Sequence, residues 1–296
     1  MVTAEPINIY NLIIYSITFI YLLIASISDL KTREVADWLN YGAAASGIAV
    51  NLLFSAIIFD ISYAVKSLIG FGILFVAAYI LFYTGQWGGG DSKSIIALGA
   101  LLGPVAINKA PLLFYFFINL LIVGALYALI WSISLAVINR KRVYSEFKKN
   151  FSNKKIFYFK IIIIILILIS IGIQLLNANN LFKIISLFIS LSAASFIYVW
   201  AFAVAVEKAC LHKSVEPDVL TEGDWITKEI YVDGKYICGP KDLGISKNQI
   251  IILKKIYSEG KIKNVAMKIG IPFIPSFFIA FLATIIFGNF LAGLVG

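Results

Sequence analysis

The chain has 296 residues, of which 60% are hydrophobic and only 14% are charged, and its formal net charge is +9. Soluble domains carry about 25% charged residues, and the apolar residues here come in runs of roughly 20, the length that a helix needs to cross a bilayer. This composition excludes a soluble globular protein and predicts a polytopic helical membrane protein.

The predicted fold is an all-α polytopic membrane protein with about eight transmembrane helices (six to eight) and a small mixed α/β cytoplasmic lobe. The first apolar run, Ile7 to Ile27, has no Lys or Arg before it. It therefore lacks the basic start of a secretory signal peptide and is predicted to be a retained span. Seven further apolar runs follow as predicted spans: residues 38–59, 62–83, 92–106, 111–139, 156–176, 181–206 and 272–294.

A polar stretch before the last span is the predicted lobe. Within it, Trp225 to Ile237 is predicted to be a hairpin, because Asp233-Gly234 is a favoured turn pair. Ser246 is the predicted N-cap of a helix that reaches Glu259. The predicted domains follow the membrane topology: a membrane domain with spans one to seven (1–206), the lobe (207–267) and a C-terminal membrane span (268–296).

The basic residues are distributed unevenly between the predicted loops. If the N-terminus lies outside, the inner loops hold 22 of the 25 Lys and Arg residues, including eight between Arg140 and Lys160. The positive-inside rule then predicts a cell-membrane protein with an external N-terminus, and it explains the positive charge without a nucleic-acid partner. The basic loop 140–160 is also placed to meet anionic headgroups of the lipid bilayer, although orientation alone explains it.

No cofactor or metal is expected. Cys210, His212 and Cys238 are a poor set of zinc ligands, because a zinc site needs about four ligands and the two cysteines form no CxxC pair. Both cysteines are predicted to be free thiols.

Two aspartates stand at the inner ends of predicted spans. Asp29 follows span one, and Asp91 follows the glycines Gly88, Gly89 and Gly90 at the start of span four. In the predicted topology they are the only carboxylates next to hydrocarbon on the inner face, where an ionisable residue is costly and usually functional. Span four covers only about 22 Å, so Asp91 is expected in a wet recess bordered by irregular glycine backbone.

Two carboxylates held close together share a proton, which is the chemistry of an aspartic protease. The ionised member takes a proton from water while the protonated member polarises the scissile carbonyl, and the titration belongs to the pair. The alternatives are structural. Asp91 is also a suitable N-cap, and Asp29 could pair with Lys31, Arg33 or Lys93 as a solvated interfacial charge. The residues alone leave both interpretations open.

The two aspartate segments resemble the motifs of type IV prepilin peptidases, membrane aspartic proteases whose archaeal members include the preflagellin peptidases. Gly88 to Asp91 fits the GxGD signature. Together with Lys93, Ala97 to Ala100 and Gly103, it is similar to the second aspartate motif of that family. The segment Asp29 to Val35 resembles the first motif.

Further details refine this resemblance. Ala36 departs from the family pattern, in which proline is frequent at that position, whereas Ile271 to Pro275 resembles the closing segment. Ser28 precedes Asp29, while the first aspartate of presenilin-like proteases typically follows a tyrosine, so the prepilin branch fits better. The chain also lacks the paired CxxC motifs that are typical of the bacterial enzymes, many of which methylate the new N-terminus.

The resemblance implies an aspartic endopeptidase in which Asp29 and Asp91 are the catalytic dyad. Its implied substrates are prepilin or preflagellin precursors with a class III signal peptide, a short basic leader that is cut before an apolar helix at the cytoplasmic face. The similarity to the archaeal enzymes implies cleavage without methylation. Two alternatives stay open: a presenilin-like protease that cuts within helices, and a proton-coupled transporter that uses the aspartates as relay groups.

Several neighbouring residues carry weaker expectations. Gly88 to Gly90 are predicted to let the loop approach Asp91 or the substrate backbone, against the alternative of a plain flexible connector. Lys93 is a candidate contact of the dyad or the substrate, and its alternative is an interfacial lysine that snorkels to the surface. Gly99 and Gly103 form a small-xxx-small pair and are predicted to serve helix packing.

Overall fold

The computed structural model describes residues 4–107, 110–152, 154–176, 179–232 and 234–288 of the chain. Within these residues the α-helices are, in chain order, α1 (Ala4–Thr32), α2 (Asp37–Ile58), α3 (Ser62–Tyr83), α4 (Gly89–Leu102), α5 (Leu112–Ile138), α6 (Arg140–Phe151), α7 (Lys154–Leu175), α8 (Asn180–Val206), α9 (Lys247–Ser258) and α10 (Ile274–Phe287).

Six of these helices, namely α1, α2, α3, α5, α7 and α8, are long and apolar enough to cross a membrane. Helices α4 and α10 have 14 residues each, so each covers about 21 Å, which is less than a hydrocarbon core of about 30 Å. The predicted polytopic helical fold with six to eight spans is therefore confirmed. The predicted eighth span begins with α10, and its residues from 289 onward lie outside the described part of the chain.

The chain forms two compact units, residues 1–130 with 270–296 and residues 131–269. These units differ from the domains predicted from membrane topology, because α7 and α8 belong to the same unit as the lobe. Helix α5 begins in the first unit and ends in the second. Topology and compactness thus divide this chain at different residues.

Helix α4 is the centre of the first unit, and most of its residues are buried. A Cβ atom at Gly99 would overlap the carbonyl group of Gly70 in α3, and one at Gly103 would overlap the Lys66 carbonyl oxygen. These glycines allow the backbones of α3 and α4 to touch, which confirms their predicted packing role. On the other side of α4, a Cβ atom at Gly47 of α2 would lie 2.9 Å from the Leu101 nitrogen.

Buried polar side chains also connect the helices of this unit. The Tyr10 hydroxyl donates to Asn51 Oδ1 over 2.6 Å, and Asn51 Nδ2 donates to the Ala100 carbonyl over 3.2 Å. The Ser67 hydroxyl donates to the same carbonyl over 2.7 Å. These bonds join α1, α2 and α3 to α4 where polar groups must be satisfied within the protein.

The basic segment after α5 is helical rather than a loop. Residues Val143, Phe147 and Phe151 recur every fourth position of α6, and this period places them on one side of a helix. Val143 and Phe147 pack with Ala205 and Val206 at the end of α8. The prediction of a loop over 140–160 was wrong for residues 140–151, which form α6, and for residues 154–160, which begin α7. The basic segment also contains the apolar residues that pack against α8.

Within its described residues the lobe combines a three-stranded sheet, a two-stranded hairpin and one α-helix, α9. Strands β3 (His212–Val215), β4 (Trp225–Ile226) and β7 (Val265–Lys268) form an antiparallel sheet in the order β3-β7-β4, and β5 (Ile230–Val232) pairs with β6 (Lys235–Cys238). A short antiparallel pair, β1 (Ala106–Ile107) and β2 (Ala110–Pro111), belongs to the first unit.

The helix cap and the turn predicted in the lobe are present where the structure describes them. Ser246 caps α9, since its hydroxyl accepts from the Gln249 N–H over 3.4 Å. The hairpin predicted over 225–237 is present as β5 and β6, and Gly234 in its turn has φ +77°. Its first residues, Trp225 and Ile226, instead form β4 and pair with β7. Asp233, the other residue of that turn pair, lies outside the described residues. Both cysteines are free thiols, and Cys238 is buried in the lobe core.

Candidate active site

Asp29 lies in the last turns of α1, and only 5% of it is exposed. Its carboxylate accepts a hydrogen bond from the backbone N–H of Ile274 over 2.9 Å and another from that of Phe273. These two N–H groups are at the start of α10. A helix N-terminus carries a partial positive charge and free N–H donors, so α10 holds the carboxylate in one orientation.

The segment before α10 is hydrogen-bonded to the residue that follows α1. Arg33 has φ +61°, a left-handed conformation that stops α1. Its guanidinium donates to the Gly270 carbonyl oxygen, and its positive charge also acts on Asp29. The alternative of Asp29 as a solvated interfacial charge is therefore wrong, because the residue is buried and Arg33 acts on it only as a longer-range charge beside the N–H donors of α10.

Asp91 is the third residue of α4, and Gly88 is the N-cap. The Asp91 carboxylate accepts from the Gly88 N–H over 3.4 Å, so it reaches back to the cap instead of forming it. The N-cap alternative for Asp91 is wrong in this detail. Asp91 also lies close enough to Asp29 for the two carboxylates to repel each other. The structure therefore brings together two acids that are 62 positions apart in the sequence.

The glycines before Asp91 have room around them. Their backbones do not adopt positive φ angles. A Cβ atom would meet no atom closer than 3.6 Å at Gly88, 3.9 Å at Gly89 and 3.7 Å at Gly90. At Gly90 the nearest atom is the backbone nitrogen of Val35, the last residue of the segment that begins at Asp29. The fold itself therefore does not require glycine at these three positions.

Lys93 points toward α2. Its ammonium group forms an ion pair with Asp37 and lies 5.8 Å from the centre of the Tyr41 ring. The structure thus gives Lys93 a partner other than the two aspartates. The alternative reading of Lys93 as a partly exposed interfacial lysine describes this position better.

Three buried polar groups on the helices that carry the aspartates and on α2 have no hydrogen-bond partner among the described residues: Ser26 Oγ of α1, Ser92 Oγ of α4 and Asn40 Nδ2 of α2. Ser26 is one turn before Asp29, and Ser92 directly follows Asp91. The oxygen of Asn40 accepts from Tyr21 and Ser94, and Ser94 is one turn after Asp91. An unpaired buried polar group costs about 1–3 kcal/mol, so this region holds hydrogen-bonding capacity that the fold does not use.

Sequence reasoning missed the aromatic surroundings of Asp29. Tyr127 of α5 interacts electrostatically with Asp29, and its ring centre is 6.5 Å from that of Phe273. The ring centre of Trp87 lies 6.4 Å from that of Phe273 and 5.6 Å from that of Phe277. Only the resemblance of residues 271–275 to a closing segment signalled that this region belongs to the site. Nothing in the local sequence around Tyr127 did so.

Residues 16–131, which include both aspartates, match the family described as the type IV leader peptidase family. Three curated preflagellin peptidases are similar to this chain. The protein from Methanocaldococcus jannaschii is 35% identical over 122 residues, which are 40% of this chain and 52% of that protein. The Methanococcus maripaludis protein is 38% identical over 88 residues (30% and 38%), and the Methanococcus voltae protein is 34% identical over 105 residues (34% and 45%).

The chain spans about half the length of the curated relatives it matches. No solved structure matches it.

Proposed function

We propose that this chain, whose residues 16–131 belong to the type IV leader peptidase family, is a membrane-embedded aspartic endopeptidase. It removes the short basic leader of prepilins or preflagellins and uses Asp29 and Asp91 to activate water. The observation that carries the proposal is that these two carboxylates, from α1 and α4, lie close enough to repel each other, while Asp29 accepts a hydrogen bond from the start of α10.

In the proposed mechanism the aspartates share one proton. The ionised carboxylate takes a proton from a water molecule as the oxygen attacks the scissile carbonyl carbon, and the protonated carboxyl donates a hydrogen bond to the carbonyl oxygen. The tetrahedral intermediate then collapses, the C–N bond breaks, and the departing amine receives a proton from the pair. The N–H groups of Phe273 and Ile274 keep Asp29 in place during these steps.

The unpaired polar groups of Ser26, Ser92 and Asn40 have a role in this proposal. A peptide in the site presents N–H and C=O groups, and a buried polar group gains most when it receives a partner. The space beside Gly88, Gly89 and Gly90 would let an extended backbone approach Asp91 closely. The glycines then serve the substrate, which explains why the fold alone does not need them.

The proposed location is the cytoplasmic face of the cell membrane, with the N-terminus outside. The charge asymmetry of the sequence supports this orientation, since 22 of 25 basic residues fall on the same side as the two aspartates. A site with negative charge at that level attracts a basic leader. The substrate's apolar helix would remain in the bilayer while its leader reaches the dyad.

A transporter is less well supported. Relay groups for protons are expected deep within several spans. Among the described residues, Asp29 is the only charged residue that is buried, and it lies at the end of α1. Uptake of a substrate into proteoliposomes in response to a pH gradient would restore this alternative.

The proposal is tested by mapping the cleaved bond. Membranes that contain the full chain are incubated with a panel of prepilin and preflagellin precursors, and the products are identified by mass spectrometry. We expect one cut, between the basic leader and the apolar helix, and a new N-terminus with an unmethylated amine. A cut inside the apolar helix would indicate a presenilin-like protease, and an uncut panel would contradict the proposal.

Lys93 offers a second test that separates substrate contact from helix packing. The Lys93–Asp37 pair is partly exposed, with side-chain exposures of 37% and 59%, so it stabilises the protein by at most about 1 kcal/mol. We expect Lys93→Gln, Asp37→Asn and the double variant to show the same small loss of thermal stability and to retain cleavage. If Lys93→Gln alone lowers the cleavage rate more than about tenfold while Asp37→Asn does not, Lys93 contacts the substrate or the dyad.

A further inference from the structure

An open groove of about 540 Å³ lies in the second unit, where α5 ends and α6 begins. Ile133, Ala136 and Val137 of α5 and Phe202 of α8 form its apolar wall, and Arg140 stands at its rim. Its volume falls within the range of about 300–1,000 Å³ that is typical of small-molecule sites. The groove contains neither Asp29 nor Asp91, and the proposed peptidase chemistry does not use it.

Arg140 is exposed and has no hydrogen-bond or ion-pair partner among the described residues. It is the first residue of α6, a short helix that also exposes Lys141, Arg142 and Lys148. The only acid in this helix is Glu146, which is 4.0 Å from Lys149. The rim of the groove thus carries a cation with unused donors within a strongly positive helix.

The apolar residues of the groove belong to α5 and α8, which are both long and apolar enough to cross a membrane. These residues lie near the C-terminal ends of the two helices, at positions 133–137 of α5 and 202 of α8. Tyr144 of α6, which is 69% exposed, is an aromatic residue of the kind that lies at headgroup level. These features place the groove where hydrocarbon meets the headgroup layer.

We infer that this groove binds one anionic phospholipid, with an acyl chain along Ile133, Ala136, Val137 and Phe202 and the headgroup phosphate on Arg140. The planar guanidinium of Arg140 matches the headgroup phosphate, and the net positive charge of α6 favours a headgroup with no cation of its own, as basic pockets between membrane helices do. The apolar wall selects a lipid over free phosphate. The inference does not depend on the peptidase activity.

The test uses the full chain in detergent and native mass spectrometry, with phosphatidylglycerol as the probe. We expect one phosphatidylglycerol molecule to remain bound. Phosphatidylcholine has the same phosphate but also a choline cation, which Arg140 and the other basic residues of α6 repel, so it should bind at least about tenfold more weakly. Inorganic phosphate in excess should not displace the lipid. Equal binding of the two lipids would overturn the role of charge, and displacement by phosphate would overturn the role of the acyl groove.

Variants locate the site. Arg140→Gln should weaken phosphatidylglycerol binding at least about tenfold. Ala136→Phe should weaken it by filling the groove without a change of charge. Lys148→Gln removes the same charge two turns along α6, outside the groove lining, and should bind as the wild type does. An equal loss in Arg140→Gln and Lys148→Gln would mean that the helix attracts acidic lipid without a defined site, which contradicts the inference.

Discussion

Replacement of Asp29 or Asp91 by asparagine is expected to abolish leader cleavage while the protein stays folded. Asparagine has nearly the same shape as aspartate, and its oxygen can still accept from the N–H groups of Ile274 or Gly88. It can neither take a proton from water nor hold the shared proton. Because general acid–base catalysis contributes about 10²–10⁴-fold, each variant should lose at least that factor in cleavage rate.

A third carboxylate provides the matched control. Asp37 is 59% exposed in its side chain and pairs with Lys93, so Asp37→Asn removes the same charge from the same unit without touching the dyad. It should cleave at the wild-type rate. The measurement is single-turnover cleavage of a precursor in membranes, with the thermal stability of each variant determined in parallel. A stable Asp29→Asn or Asp91→Asn variant that cleaves like the wild type would disprove the dyad.

Gly99→Ala is expected to destabilise the protein more than a single-methyl addition at an uncrowded helical glycine of the first unit. The added Cβ atom would overlap the Gly70 carbonyl group, and both groups belong to backbone that cannot move without separating α3 from α4. Overpacking of this kind costs about 1–3 kcal/mol. Since α4 also carries Asp91, the shift should reach the dyad and lower the cleavage rate of the molecules that remain folded.

Gly72→Ala is the control for this effect. Gly72 lies in α3, two residues from Gly70, and a Cβ atom there would meet nothing within 4 Å. Alanine has the higher helix propensity, so this variant should melt at or slightly above the wild-type temperature. The comparison is made by thermal unfolding in detergent. If Gly99→Ala and Gly72→Ala melt together, close packing of α3 on α4 is not what makes Gly99 necessary.

The sequence by itself determined the membrane class and most helices. Apolar runs of about 20 residues leave few alternatives in a bilayer, because backbone polar groups there must be satisfied within a helix. It also singled out Asp29 and Asp91, since carboxylates next to hydrocarbon are costly and therefore rare. The Ser246 cap and the hairpin turn were also predictable, because their signals lie within a few neighbouring residues.

The tertiary structure decided which groups surround those aspartates. The N–H donor to Asp29 comes from Ile274, 245 positions later in the chain, and Lys93 pairs with Asp37 rather than with the dyad. The grouping of α7 and α8 with the lobe also appeared only in three dimensions. Periodicity and hydropathy report which face of an element is buried, but they do not report which distant element covers it. The partners of a side chain therefore become known only when the helices are packed.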